Sequence, residues 1–248
     1  MKTLFSMALA TLFTFALFAQ KSEIGLSLDG WNYQGDVSGS PAPNLSETNI
    51  GVGAFYRYNF HSNFAVKGMF QFGRISGDDR ETDFTNVDPL VDFSSTLVNI
   101  GAALEYNILS REVQKKYYDG NGQEITREDL KSGNYGTLYD AKGNEVTSSP
   151  MLERKWIPYI SLGAALSFFS PEVNYAGTSD VRYGDDSQTN TLFFPVGVGV
   201  KYYMNDDWLL GLEVMTAPTL TDYIDGVSRR TDTNDWLSAI SLYVGYQF

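Results

Sequence analysis

The chain ends on a strand with one greasy wall. In the segment from Trp236 to Phe248, Trp236, Ile240, Leu242, Val244, Tyr246 and Phe248 share one period-2 face, while Ala239, Ser241, Gly245 and Gln247 share the other. Alternation every second residue marks a strand with one apolar side. A last strand that finishes on Phe is the habit of barrels inserted into outer membranes, where Ile240, Leu242, Val244, Tyr246 and Phe248 act as the carboxy-terminal insertion signal. This feature predicts an all-β fold, an integral barrel closed by its terminal strand.

The amino-terminus points the same way. Met1-Lys2 is a short positive region, Thr3 to Phe18 is apolar, and Leu17-Phe18-Ala19 places a small residue before Gln20, so residues 1–19 are expected to be a cleaved signal peptide and 20–248 the mature barrel. No other stretch is long and apolar enough for a spanning helix, so a membrane would have to be crossed by strands. The absence of Cys excludes a disulfide scaffold and thiolate metal sites. The net charge of −12 becomes −13 once Lys2 leaves with the signal, which excludes nucleic acid as a partner.

Eight period-2 segments are expected, at 23–36, 48–60, 63–76, 92–108, 155–169, 192–204, 207–219 and 235–248. An even number suits a closed eight-stranded antiparallel transmembrane β-barrel. Tight turns at His61-Ser62 and Asn205-Asp206 fall on the periplasmic side if both termini lie there, which sends 37–47, 77–91, 170–191 and 220–234 outside and leaves 109–154 as a long periplasmic insertion. One parity of the strands carries residues such as Ile50, Val52, Phe70, Ile100, Leu162, Val198 and Leu212, a lipid-facing band. The other parity collects Asp29, Arg57, Lys67, Glu105, Lys201 and Glu213 among glycines. Three acids and three bases facing inward predict a lumen closed by ion pairs, because an eight-stranded barrel has room only for side chains.

Enzymatic constellations are scarce. His61 is the sole histidine and sits in a tight turn, away from any nucleophile and base arrangement on the barrel wall. The acidic stretch from Asp78 to Asp88 and the pair Asp185-Asp186 read as solvated loops. Gly51-Val-Gly and Gly197-Val-Gly-Val are strand alternations with small lumen residues, not phosphate loops. No cofactor and no metal site is expected. The insertion carries an internal repeat, Tyr118-Asp-Gly-Asn-Gly-Gln-Glu-Ile-Thr126 and Tyr139-Asp-Ala-Lys-Gly-Asn-Glu-Val-Thr147, flanking a helix-prone Arg127-Glu-Asp-Leu-Lys131. Each copy predicts a glycine turn followed by a short strand. Its calcium-loop appearance fails on Glu124 and Lys142, which leaves Tyr118, Asp119, Glu124, Tyr139, Asp140 and Glu145 as candidate partner contacts.

Asn32-Tyr-Gln-Gly-Asp36, Phe55-Tyr-Arg-Tyr-Asn-Phe60, Gly73-Arg-Ile-Ser-Gly-Asp-Asp79, Phe194-Pro-Val-Gly-Val-Gly-Val-Lys-Tyr202 and Leu220-Thr-Asp-Tyr-Ile-Asp-Gly-Val-Ser228 resemble the Bacteroidetes outer-membrane barrel family that includes PorG of the type IX secretion system. The resemblance runs over almost the whole mature chain, and the 109–154 insertion departs from it. It implies a non-enzymatic barrel that contacts a periplasmic ring of lipoproteins, in addition to outer-membrane lipid, lipopolysaccharide and the barrel assembly machinery. A structural or adhesive barrel, and a small lipid-modifying or proteolytic enzyme, are the other classes to weigh.

Overall fold

Alternating side chains, with β-branched and aromatic residues on the apolar parity, drive eight stretches of the chain into extended backbone. The structure is a computed structural model and describes residues 22–35, 37, 43, 45–78, 90–112, 115–147, 153–177, 189–227 and 234–248. Its strands are β1 (Ser22–Gln34), β2 (Asn49–His61), β3 (Phe64–Asp78), β4 (Leu90–Asn107), β5 (Leu138–Tyr139), β6 (Glu145–Val146), β7 (Trp156–Ala176), β8 (Asn190–Phe193), β9 (Val196–Tyr203), β10 (Trp208–Pro218) and β11 (Trp236–Gln247), with one short helix, α1 (Arg127–Ser132). The expected signal peptide 1–19, the acidic residues Asp79 to Asp88 and Asp185-Asp186 lie outside the described residues.

The barrel strands pair antiparallel in the order β4-β3-β2-β1-β11-β10-β9-β7, and β4 pairs back onto β7 to close the ring. The seam between first and last strands runs from Glu23↔Gln247 to Gln34↔Trp236. Closure removes every free edge, the condition for strands to sit in lipid.

Two expectations about the strands need correction. The sixth strand is broken into β8 and β9, because Pro195 has no N–H to give to a ladder. The break is local: the Gly163 N–H still bonds the Pro195 carbonyl at 2.8 Å, and above it the Leu220 N–H bonds the Leu192 carbonyl at 2.9 Å. The fourth and fifth strands also run past their expected ends, with β4 and β7 paired up to Leu90↔Ala176. Their outward residues turn polar there, and Asn174 bonds Asp92 at 3.0 Å while Arg74 of β3 reaches Ser94. The backbone ladder therefore continues after the apolar signal has stopped.

Even-numbered residues carry the outward apolar band on every barrel strand. Ile50 is 77% exposed and Leu162 62%, with Leu26, Phe70, Ile100, Val198, Leu212 and Leu242 also open. From Trp156 to Phe168 along β7, at about 3.3 Å per residue and about 40° of tilt, this band is roughly 30 Å tall, the thickness of bilayer hydrocarbon. At the end holding Ser22 and Phe248 (the terminal end) outward aromatics form a girdle. Phe64 packs on Phe60 and Tyr106 at 6.2 and 5.1 Å, Trp156 on Tyr202 at 4.5 Å, and Trp208 on Tyr246 at 5.1 Å. Such rings belong at a membrane interface. No helix among the described residues is long and apolar enough to cross a membrane.

Candidate functional site

Inward parity fills the lumen in two chemically distinct halves. Toward the terminal end, Glu105 of β4 is a hub: its carboxylate lies 2.8 Å from Arg57 Nε, 2.7 Å from Lys201 Nζ and 3.5 Å from Lys67 Nζ. Arg57 also meets Glu23 at 2.5 Å, and Lys67 meets Glu213 at 2.5 Å. Neutral donors complete the shells, with Asn59 and Tyr203 on Glu23 at 2.9 and 3.0 Å and Ser161 on Glu213 at 2.8 Å. The Arg57 guanidinium lies 4.8 Å from the centre of the Phe55 ring and 5.4 Å from that of Tyr243. Tyr243 fits because Gly211, its cross-strand neighbour, has no side chain in the space its ring occupies.

Of the six charges expected to pair here, five do so. Asp29 does not: it accepts from Ser27 at 3.1 Å and no ion pair reaches it among the described residues. Its place is taken by Glu23, which shares its parity on β1 and could have been found by counting back in twos. Among the described residues, this half of the lumen therefore holds four acids, Glu23, Asp29, Glu105 and Glu213, against three bases, Arg57, Lys67 and Lys201. The space left beside the network is a cavity of about 30 Å³ lined by residues including Ser27, Gln71, Ser161 and Ser241. That is room for a water, not for a solvated channel.

The other half is apolar. Trp31, Tyr33, Ile75, Phe93, Leu97, Phe169, Met215 and Leu237 form a buried core, capped by Ile224 and Val227 from the connection between β10 and β11. That connection, expected as an external loop over 220–234, instead sends residues 219–227 back into the mouth. Tyr33 Oη lies 2.5 Å from Asp225 and 2.9 Å from Asp235, and the Ile224 N–H bonds Asp235 at 2.9 Å. No periodicity announces this plug, since it is held by single hydrogen bonds from Tyr33 of β1 to the connection between β10 and β11.

At the terminal end the insertion is a folded unit. In the first copy, Asp119 Oδ1 accepts the N–H groups of Asn121 and Gln123 at 2.9 and 2.8 Å; in the second, Asp140 Oδ1 accepts those of Lys142 and Asn144, both at 2.8 Å. Gly122 and Gly143 sit at φ of 78° and 79°, a conformation that favours glycine. The copies then pair with each other. Tyr118 and Tyr139 exchange both backbone hydrogen bonds at 2.9 Å, and Tyr118 bridges Glu124 as Tyr139 pairs Glu145. Between them runs α1, capped by Thr126, and Leu130 joins Tyr117 and Leu138 in a small core of the unit's own. Asp119 and Asp140 thus hold backbone turns, and Glu124 is drawn to Lys116 at 2.8 Å.

Arg111 fastens this unit to the barrel. Its guanidinium stacks 4.2 Å from the Tyr203 ring centre and bonds Gln247 at 2.7 Å, Asp206 at 3.1 Å and Glu153 at 3.0 Å. Beside it opens a cleft of about 480 Å³ lined by residues including Asn59, His61, Asn107, Lys131 and Glu153. His61 Nδ1 accepts the Asn63 N–H at 3.2 Å and Ser62 turns to Asn63 at 3.3 Å, so this turn holds itself together and forms no relay.

Residues 2–121 and 149–242 match the model of a family described as a domain of unknown function (DUF6089). The chain belongs to it. The match lapses over 122–148, the part of the insertion that holds α1 and the second repeat. Curated proteins give no match. Among solved structures, neisserial surface protein A is 14% identical, with 92% of this chain and 97% of that one covered and a TM-score of 0.44. The outer membrane protein OprG from Pseudomonas aeruginosa is 12% identical over 93% and 97%, with a TM-score of 0.44. Ail, the attachment invasion locus protein of Yersinia pestis, is 12% identical over 92% and 97%, with a TM-score of 0.39.

Proposed function

We propose that this chain is a non-enzymatic outer-membrane barrel, its terminal end in the periplasm, that serves as an assembly or accessory component by docking periplasmic lipoproteins on the insertion between β4 and β7, in the manner of a type IX secretion ring. The observation that carries this reading is the twin-repeat unit. A barrel needs only a few residues to turn at this end, yet here 48 residues separate Asn107 from Trp156 and build their own core, cap and paired turns. A lumen occupied by ion pairs at one half and an apolar plug at the other argues against transport through the barrel.

The test replaces 112–152 with a short Gly-Asn turn. The trimmed protein is expected to fold and insert, shown by faster gel migration before boiling, but to lose co-purification with periplasmic lipoproteins after mild crosslinking in cells. Recovery of the same partners at the same yield refutes docking by the insertion and moves attention to the loops at the other end.

A further inference from the structure

One lumen carboxylate is left over. The buried cations of the charged half, Arg57, Lys67 and Lys201, are shared among Glu23, Glu105 and Glu213. Asp29 is 1% exposed, and no ion pair reaches it among the described residues. Ser27 donates to its Oδ2 at 3.1 Å, Ser241 and Gln71 stand beside it, and Oδ1 has no hydrogen-bond partner. Lys67 acts on it from β3, but that ammonium is already held by Glu213 at 2.5 Å and Glu105 at 3.5 Å. A buried carboxylate needs a countercharge of its own.

Asp29 heads a row of unsatisfied oxygens. A Cβ at Gly53 of β2 would lie 3.1 Å from Asp29 Oδ2 and 3.2 Å from Gln71 Cγ and would strike Ser27 Oγ, so these three groups meet over the strand only because Gly53 has no side chain. Gln71 of β3 stands directly opposite Asn99 of β4, and Asn99 opposite Ser167 of β7. All are at most 7% exposed, and Gln71 Oε1, Asn99 Oδ1 and Ser167 Oγ have no hydrogen-bond partner. On each strand the row falls between the two halves of the lumen: Gln71 lies between Lys67 and Ile75, and Asn99 between Leu97 and Glu105. The cavity of about 30 Å³ borders Ser27, Gln71 and Ser241, room for one guest the size of a water.

We infer that this row is a binding site for a monovalent cation, with Asp29 supplying the one negative charge and the amide and hydroxyl oxygens of Gln71, Asn99 and Ser167 the neutral ligands. Oxygen donors select a hard ion, and the row has no imidazole to favour a transition metal. Calcium gathers several carboxylates and magnesium keeps much of its water, whereas this row offers one carboxylate and little space. A single positive charge also balances the four acids and three bases of the charged half. Asn99 Nδ2 and Trp31 Nε1, unpaired donors bordering the row, find an acceptor in water carried in with the ion. The ion pairs lie on one side of the site and the apolar core on the other, so the ion enters as the barrel folds and its affinity is read as stability.

Equilibrium urea unfolding of the whole barrel in lipid vesicles tests this, with choline chloride replaced stepwise by sodium or potassium chloride at constant ionic strength. Once the alkali ion exceeds its dissociation constant, the folding constant should rise about tenfold for each tenfold rise in its concentration, as one ion per barrel requires. Asp29→Asn keeps the shape without the charge and should give a flat profile, while Glu128→Gln on exposed α1 should respond as wild type does. A second measurement needs no variant: wild-type midpoints in lithium, sodium, potassium and rubidium chloride at equal concentration should differ, since a site of fixed size ranks ions and screening does not. A wild-type profile as flat in sodium and potassium as in choline, an Asp29→Asn profile that still rises, or equal midpoints across the four alkali ions each overturns the site.

Discussion

Replacing Glu105 by Gln removes the hub of the charged half while keeping its shape. In the wild type the carboxylate touches three cations, at 2.7 Å (Lys201), 2.8 Å (Arg57) and 3.5 Å (Lys67). At an effective dielectric of about 20 each contact is worth roughly 5–6 kcal/mol of attraction, most of it offset by the several kcal/mol needed to strip water from each ion. The difference between paired and unpaired states decides the outcome. Arg57 keeps Glu23 and Lys67 keeps Glu213, but Lys201 is left with the side-chain amide oxygen Oδ1 of Asn107 at 3.1 Å as its hydrogen-bond acceptor. One fully buried ammonium without a carboxylate predicts a loss of about 3–5 kcal/mol.

The assay is urea unfolding of the barrel refolded in lipid vesicles, followed by gel mobility and tryptophan fluorescence. Glu105→Gln should lower the midpoint without changing the slope. The double variant Glu105→Gln with Lys201→Met removes the orphaned charge and should recover at least half of the loss, so the two substitutions are strongly non-additive. A single variant within about 0.5 kcal/mol of wild type, or two losses that simply add, would refute the claim that the pairs close this half of the lumen.

Serine at both Tyr246 and Phe248 removes outward aromatics from the closing strand, including the ring packed on Trp208 at 5.1 Å; at about 1.5–3 kcal/mol each for large apolar side chains, the heat-modifiable form should fall several-fold while export continues, and wild-type levels of folded barrel would contradict this. Arg111→Ala cuts the contacts to Gln247, Asp206 and Glu153. Its side chain is 20% exposed, so the expected cost is local, about 1–2 kcal/mol, seen as faster hydrogen exchange in the insertion with the barrel midpoint unchanged; a shift of the global midpoint instead would show that the insertion is part of the barrel's own stability.

The barrel was legible because each wall residue is decided by local parity. Ile50, Leu162 and Leu242 face out and Arg57, Lys67 and Glu213 face in for the same reason, the two-residue repeat of an extended backbone. What parity cannot give is partnership. Asp29 and Glu23 share a face, yet only Glu23 meets Arg57, because which cross-barrel groups touch depends on register and shear rather than on spacing. The plug was hidden for a related reason: Asp225 lies in a stretch with no period, Asp235 stands at the first position of the last periodic segment, and their meeting at Tyr33 is a tertiary event. The twin turns of the insertion were visible as a repeat, whereas the pairing of Tyr118 with Tyr139 follows from folding the copies back on each other around α1.

The place where the insertion enters explains why the barrel tolerates it. It joins β4 to β7, which pair with each other and so present its two ends side by side, and the Arg154 N–H bonds the Arg111 carbonyl at 2.7 Å just beyond the ladder. Ends already in register make loop closure nearly independent of what lies between them, since the closing entropy grows only slowly with length. The family match breaks off at 121 and resumes at 149, inside this closed neck, so a unit can be added or removed there without changing the strand register. Arg111 nevertheless reaches across the mouth to Gln247, the last residue of β11, and to Asp206 in the turn before β10. The insertion therefore grips the strand that closes the barrel, and a force applied to it would act on the β1–β11 seam rather than on a detached tether.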